Sequence, residues 1–183
     1  VTFSGYAEAY YSHDFNNLIN NTKPPFLFSF NKNNEPSVNL AFIKGAYVMN
    51  RARANLAFAA GTYMNANYAA EPGILNNFFE GNAGVKLSGK NNLWLDVGVF
   101  PSHIGFESAI SKDCWVLTRS ILAENSPYFE AGIKIIYSSN NNKWVATGLL
   151  LNGWQRIKRV AGNSAMSYGT QLQYKPNSKV LIN

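Results

Sequence analysis

Apolar and polar side chains alternate along this chain with a period of two, in runs of about ten residues, which is the signature of strands with one greasy face. Nine runs stand out, at 3–12, 38–49, 53–64, 78–88, 93–101, 128–138, 143–153, 165–174 and 179–183. In the sixth, Phe129, Ala131, Ile133, Ile135 and Tyr137 form the apolar series, against Glu130, Gly132 and Lys134. In the fourth, Phe79, Ala83, Val85 and Leu87 oppose Glu80, Asn82, Gly84, Lys86 and Ser88. In the fifth, Leu93, Leu95, Val97 and Val99 oppose Asp96 and Gly98. In the eighth, Met166, Tyr168, Leu172 and Tyr174 oppose Ser167, Gly169, Gln171 and Gln173. The first run sets Glu8 between Tyr6 and Tyr10, with Gly5, Ala7 and Ala9 on its other face.

The connections alternate in length. Short ones at 50–53, 89–92, 139–142 and 175–178 are rich in Asn and Gly, which close tight turns. Long ones lie between them, at 13–37, 65–77, 102–127 and 154–164. Short turns at one end and long loops at the other predict an all-β fold, a transmembrane antiparallel up-and-down barrel with short periplasmic turns and long outer loops. Ten residues at about 3.4 Å each, tilted by about 40°, span the apolar band of such a barrel. Aromatic residues at run ends (Tyr10, Tyr11, Tyr47, Tyr63, Phe78, Phe79, Trp94, Phe100, Tyr128, Phe129, Tyr137, Trp144, Tyr168 and Tyr174) suit interfacial girdles. On this reading the apolar face meets lipid and the polar face lines a lumen. Lys44 breaks the scheme. It falls in the series of Val38, Leu40 and Phe42, towards lipid, unless a bulge near Gly45 turns it inward.

Nine runs is an odd number, and an unpaired strand edge cannot sit in lipid. The 183 residues are therefore expected to be one barrel domain, incomplete at its C-terminus. A doubled length would give about 16 strands and an aqueous lumen. Closure after eight strands, near Tyr174, is the competing arrangement. Val1 leads directly into strand pattern, without a basic segment or an apolar core. For an exported protein this is the pattern left once a signal peptide has been removed.

Composition narrows the choice further. Charged residues make up 14% of the chain, against about 25% in ordinary soluble domains. The mean hydropathy is −0.16, and no apolar run approaches the roughly 20 residues of a spanning helix. One cysteine, Cys114, excludes a disulfide scaffold and reads as a small packed apolar group. The net charge of +6 comes from singly scattered Lys and Arg, with one cluster at Arg156, Lys158 and Arg159, so no nucleic-acid partner is expected.

The third long connection, SHIGFESAISKDCWVLTRSILAENSP, is the one stretch that reads as helical. Asp113 would cap a helix running to Glu124, with Trp115, Leu117, Ile121 and Leu122 on its apolar side. Together with GYAEAYYSHDFN near the start, FPSHIGFESAISKDCWVLTRSILAENSPYFEAGIKIIY in the middle and SYGTQLQYKPNSKVLIN at the end, it resembles the OmpL-like putative β-barrel porin family of Gram-negative outer membranes. The resemblance extends over essentially the whole chain. It implies an outer-membrane location and porin-like transport, without naming a solute, and family members look longer than this chain.

A porin needs a wet lumen and a constriction, not a catalytic group. The constriction candidates are His103, Glu107, Lys112, Asp113, Arg119 and Glu124. The lumen-wall candidates are Glu8, Glu80, Lys86, Asp96, Glu130, Lys134, Gln171 and Gln173. Both signs occur, which predicts weak ion selectivity. The same residues would also serve as ion pairs clamping the loop to the wall. An enzyme is not expected. His13-Asp14 and Ser102-His103 supply histidines, but there is no nucleophile elbow and no metal-ligand spacing. No cofactor or metal is expected. The expected partners are outer-membrane lipid, lipopolysaccharide and small hydrophilic solutes, with other outer-membrane proteins or self-association as further options. The alternative function is a non-conducting accessory barrel, which the aromatic run from Pro24 to Phe30 could serve by docking a partner, unless that run packs into a cap over the barrel mouth.

Overall fold

The computed structural model describes residues 1–16, 18–163 and 165–183. Asn17, in the first long connection, and Ser164, the expected end of the fourth, lie outside the described residues. Nine strands form one antiparallel sheet in chain order: β1 (Thr2–Tyr10), β2 (Ser37–Val48), β3 (Ala52–Ala60), β4 (Phe78–Lys86), β5 (Asn92–Pro101), β6 (Phe129–Ser138), β7 (Trp144–Leu151), β8 (Ser167–Asn177) and β9 (Val180–Ile182). Each strand bonds only to its neighbours in the chain, as short turns require. The order does not close after eight strands: β8 pairs with β9, and β1 and β9 each have one neighbour among the described residues.

The two faces separate as the alternation demands. Phe3, Ile43, Leu56, Val85, Val97, Ile133, Ile135, Tyr137, Tyr168 and Leu172 lie exposed on one side. Trp144 stacks on Tyr174 on that same side, 4.3 Å between ring centroids. The other, inner side carries Glu8, Glu80, Asp96, Glu130 and Thr147, all at least partly buried beneath the long loops.

Two register slips decide where the sequence reading fails. Glu8 pairs with Leu40 but Ala9 pairs with Val38, so Asn39 is the extra residue of a bulge. Val38 stays on the exposed side, whereas Leu40, Phe42 and Lys44 turn inward. The bulge thus sits at Asn39 rather than near Gly45, and it moves Leu40 and Phe42 as well as Lys44. Asn39 is fully buried and ties three elements together. Its Nδ2 donates to Glu8 Oε1 at 2.6 Å, and its Oδ1 accepts from the Phe30 N–H at 2.9 Å and the Thr62 hydroxyl at 3.4 Å. The second slip makes Phe79 extra between Glu80, opposite Ala57, and Phe78, opposite Phe58. Phe79 therefore leaves the lipid-facing series expected for it and stacks on Phe42 inside, at 5.3 Å.

The long connections form a packed outer cap. β3 ends at Ala60 rather than 64 because Gly61, at φ 129°, turns the chain against the Asn39 backbone, where a Cβ would lie 2.3 Å from its carbonyl oxygen. The second connection then forms helix α1 (Thr62–Asn67) and a 3₁₀ turn (Gly73–Asn77), so helical structure is not confined to the third. Tyr63, Met64, Tyr68, Tyr128 and Phe129 fill the cap, with Tyr68 stacked on Phe129 at 3.9 Å. Tyr63 and Phe129 are core rather than girdle. Tyr10, Trp94 and Phe100 belong to the inner series.

No helix runs from Asp113 to Glu124. A 3₁₀ turn (Ser111–Asp113) and helix α2 (Ile121–Glu124) replace it, and the cap of α2 is Ser120, whose Oγ accepts from the Ala123 N–H at 3.2 Å. Arg119, at the end of the stretch between them, donates to the carbonyls of Ser108, Ala109 and Leu117, which ties that stretch back to the residues before the 3₁₀ turn. Trp115, Leu117, Ile121 and Leu122 are exposed, not an inward apolar side.

Gly98 and Gly132 face each other across β5 and β6, both at positive φ (129° and 154°), and a Cβ on Gly98 would lie 2.1 Å from the Gly81 carbonyl oxygen. Gly98→Ala is expected to destabilise the barrel by about 2 kcal/mol or more, read as a lower urea midpoint of the protein refolded in lipid vesicles. Gly5→Ala, where the nearest atom is 3.4 Å away, should leave the midpoint unchanged.

Candidate functional site: the inner wall and the third loop

Small residues at chosen register positions let long side chains reach across the inner wall. One transverse row reads Lys44, Ala57, Glu80 on β2, β3 and β4. Over the fully buried Ala57, Lys44 Nζ meets Glu80 Oε2 at 2.5 Å. A second row reads Arg53, Gly84, Asp96, Lys134, Leu149, Gly169 from β3 to β8. Across Gly84, Arg53 grips Asp96 with two bonds of 2.7 and 2.5 Å, and a Cβ on Gly84 would lie 2.0 Å from the Asp96 Oδ1. The Arg53 guanidinium also lies 4.4 Å from the Trp94 ring centroid, and Lys134 Nζ lies 4.1 Å from that of Phe100. Glu8 accepts from Tyr6 Oη at 2.6 Å as well as from Asn39.

The loop of residues 102–127 lies along this wall. His103 Nδ1 is 2.9 Å from Glu130 Oε2, its carbonyl oxygen accepts from Gln171 Nε2 at 2.6 Å, and its ring occupies the space that Gly169 leaves open. Further on, Lys112 Nζ lies 5.9 Å from the Tyr6 ring centroid on β1. The loop therefore touches both β8 and β1, the width of the sheet apart.

The remaining candidates divide by what they bind. Glu107 accepts from the Ser120 N–H at 3.1 Å and from the Ser120 hydroxyl, closing the loop on itself. Arg119 is buried and donates to the carbonyls of Ser108 at 2.6 Å and Ala109 at 2.7 Å. Glu124 is buried, and its Oε2 accepts the consecutive N–H groups of Phe28 and Ser29 at 2.6 and 3.0 Å, joining the third loop to the first. These contacts, with Phe30 edge-on to Tyr10 at 5.2 Å, fold residues 27–30 of the aromatic run into the cap, while Pro24, Pro25 and Phe26 stay exposed. Asp113 is exposed in the 3₁₀ turn, and Cys114 Sγ lies 3.3 Å from both the N–H and the carbonyl oxygen of Ser108. On the wall, Lys86 lies opposite Trp94 and Gln173 opposite Val145, both in the inner series.

Several residues of this site escape a sequence reading. Lys44 is hidden by the bulge. Arg53 stands within the third run, but only the register shows that it meets Asp96. Glu71 repeats the device of Glu124: buried, it accepts the consecutive N–H groups of Ile157 and Lys158 at 2.8 and 3.0 Å, joining the second long loop to the fourth. A Glu followed by Pro72 in a loop carries no pattern that would reveal this. The Tyr63 and Tyr128 phenols are buried with no hydrogen-bond partner among the described residues, and burial pushes both above the ordinary tyrosine range.

A carboxylate that accepts two backbone N–H groups away from water contributes about 1.5–3 kcal/mol per bond. Glu124→Ala and Glu71→Ala are each expected to release the outer loops to limited proteolysis at least about tenfold faster, while the sheet keeps its resistance to SDS at room temperature.

The family model described as "Putative beta-barrel porin-2, OmpL-like" matches residues 1–183, the whole chain. No curated protein and no solved structure matches it. With one apolar face, one charged inner face and a single up-and-down sheet beneath long outer loops, the chain belongs to this OmpL-like β-barrel porin family of the Gram-negative outer membrane.

Proposed function

We propose that the protein is a passive diffusion channel for small hydrophilic solutes, and that the loop of residues 102–127 sets its size limit. The observation that carries this reading is the course of that loop, bonded to Glu130 and Gln171 on one flank and reaching Tyr6 on the other. A loop held across the polar wall narrows whatever lumen the wall encloses. The open edges of β1 and β9 cannot face lipid, so further strands, of the same polypeptide or of a second copy, complete the ring. In that ring the wall carries Glu8, Glu80, Asp96 and Glu130 against Lys44, Arg53, Lys86 and Lys134, charges of both signs, which favours weak selectivity. The lipid-facing residues and the outer loops give the protein its contacts with lipid and lipopolysaccharide.

A second reading rests on one observation: Phe106, Trp115, Leu117 and Leu122 of the same loop are strongly exposed. A patch of that kind suits an accessory barrel that binds another outer-membrane protein or a second copy through its loop.

Single-channel recording of the full-length protein in planar bilayers decides between them. The channel reading expects stable conductance steps with weak ion selectivity. Gln171→Ala combined with His103→Ala should free the loop and raise the conductance, and Glu80→Gln with Asp96→Asn should shift selectivity towards anions. A correctly folded barrel that inserts and never conducts would contradict the channel and favour the accessory barrel.

A further inference from the structure

The four long outer connections differ in charge. Residues 13–37 carry Asp14 and Glu35 against Lys23 and Lys32, and residues 102–127 carry Glu107, Asp113 and Glu124 against Lys112 and Arg119. Residues 65–77 carry Glu71 alone. The fourth connection carries Arg156, Lys158 and Arg159 with no acid, and no Asp or Glu stands between Glu130 and Asn183. Among the described residues none of these three bases makes an ion pair. Glu71 reaches the loop, but its two oxygens accept the Ile157 and Lys158 N–H groups, so one acid stands against three bases.

The cluster is held in place. Ile157 packs against the cap, and its carbonyl accepts from Asn152 Nδ2 at 2.8 Å. Arg159 Nη2 donates to the carbonyls of Asn163 and Ala165 at 3.0 and 2.9 Å. Beside them lies a hollow of about 380 Å³, lined by Trp154, Arg156, Val160, Asn163 and Met166. Register gives its side of the wall. Leu151 pairs with Ser167 and is buried, so Asn152 and Met166, one step further out, share the parity of Leu150 and Tyr168. Both line the hollow, and Tyr168 is exposed on the lipid-facing series directly below. The hollow thus opens on the outer rim towards lipid rather than over the lumen.

The geometry points to a binding site for the phosphorylated head of an outer-leaflet lipopolysaccharide on this rim. The inference rests on the outer-membrane placement, with the long loops outside, and is independent of conduction. Arg156 offers a fork of N–H groups that matches a phosphate, and Lys158 adds a second positive charge. Trp154, Val160 and Met166 give the sugar and the first acyl carbons an apolar surface at the water boundary. A free anion would leave that surface bare, and an uncharged lipid would leave the bases unmatched. The two bases take the place of the divalent cations that otherwise bridge the phosphates of neighbouring lipids.

The test uses the full-length protein refolded in an uncharged detergent with EDTA present. The probes are deep-rough lipopolysaccharide, the same lipid stripped of its phosphates, and phosphatidylglycerol, and native mass spectrometry counts the lipid retained. The expected result is saturable retention of lipopolysaccharide that weakens as salt rises, with neither other lipid retained. Arg156→Gln with Lys158→Gln should weaken retention at least about tenfold. Neither side chain is bonded to the protein among the described residues, so the fold should be unaffected. Lys143→Gln with Lys175→Gln, on the short-turn rim, removes the same charge and should change nothing. Equal retention of either other lipid, equal loss in the Lys143 and Lys175 variant, or displacement by inorganic phosphate at the lipid's own concentration would overturn the site. A protein that conducts and retains no lipopolysaccharide overturns the site alone. One that retains it and never conducts overturns the channel alone.

Discussion

Lipid accepts no unpaired peptide group and few charged side chains, and every feature of this chain follows from meeting those two conditions with strands. Each strand must bond sideways to its neighbour along its whole length, so the sheet runs in chain order with short turns on one rim. Each strand must also send its charges to one face. That face then needs its own neutralisation, which the wall supplies as Lys44–Glu80 and Arg53–Asp96. Both pairs depend on a small residue between them, Ala57 in one row and Gly84 in the other. Register, more than any single contact, is what makes the inner face function as a unit.

The same logic explains the loop. A connection of 26 residues would remain mobile in water unless bonded at several points, since ordering each residue costs about 1–2 kcal/mol of backbone entropy. Here the anchors are spread: His103 on Glu130 and Gln171, Arg119 on the carbonyls of Ser108 and Ala109, and Glu124 on the backbone of the first loop. Glu71 ties the second loop to the fourth in the same way. The outer cap is therefore one network rather than four independent loops, built on buried carboxylates that accept neighbouring N–H groups.

The strands and the inner face were legible in the sequence wherever alternation ran unbroken, as in β5, β6 and β8. Asp96, Glu130, Lys134, Gln171 and Gln173 all lie on the inner series expected of them. Legibility failed at the bulges, because one inserted residue inverts the parity of everything beyond it. Counting from Val38 sends Leu40, Phe42 and Lys44 to lipid, and the bulge at Asn39 sends all three inside. Nothing local marks Asn39 as the extra residue. Its role comes from partners on β1, in the first loop and on α1. The third loop was misread for a related reason. Its composition reads as helical, but Arg119 folds the segment back onto the carbonyls of Ser108 and Ala109, ahead of the expected helix, so residues 114–119 form a loop.

In this arrangement the charged face looks into water and the apolar face into lipid, with parity set by the Asn39 bulge. Cysteine accessibility at adjacent positions tests it most directly, in the Cys114→Ser background and in reconstituted vesicles, with a charged, membrane-impermeant thiol reagent. Lys44→Cys and Asn55→Cys should react readily, and Ile43→Cys and Leu56→Cys should stay unmodified. Asn55 and Leu56 supply a pair that disturbs no ion pair. Modification at 43 and 56 with protection at 44 and 55 would mean that the sheet is inside out. Reaction at 43 with protection at 44, and the 55/56 contrast intact, would mean that the bulge does not set the parity of β2.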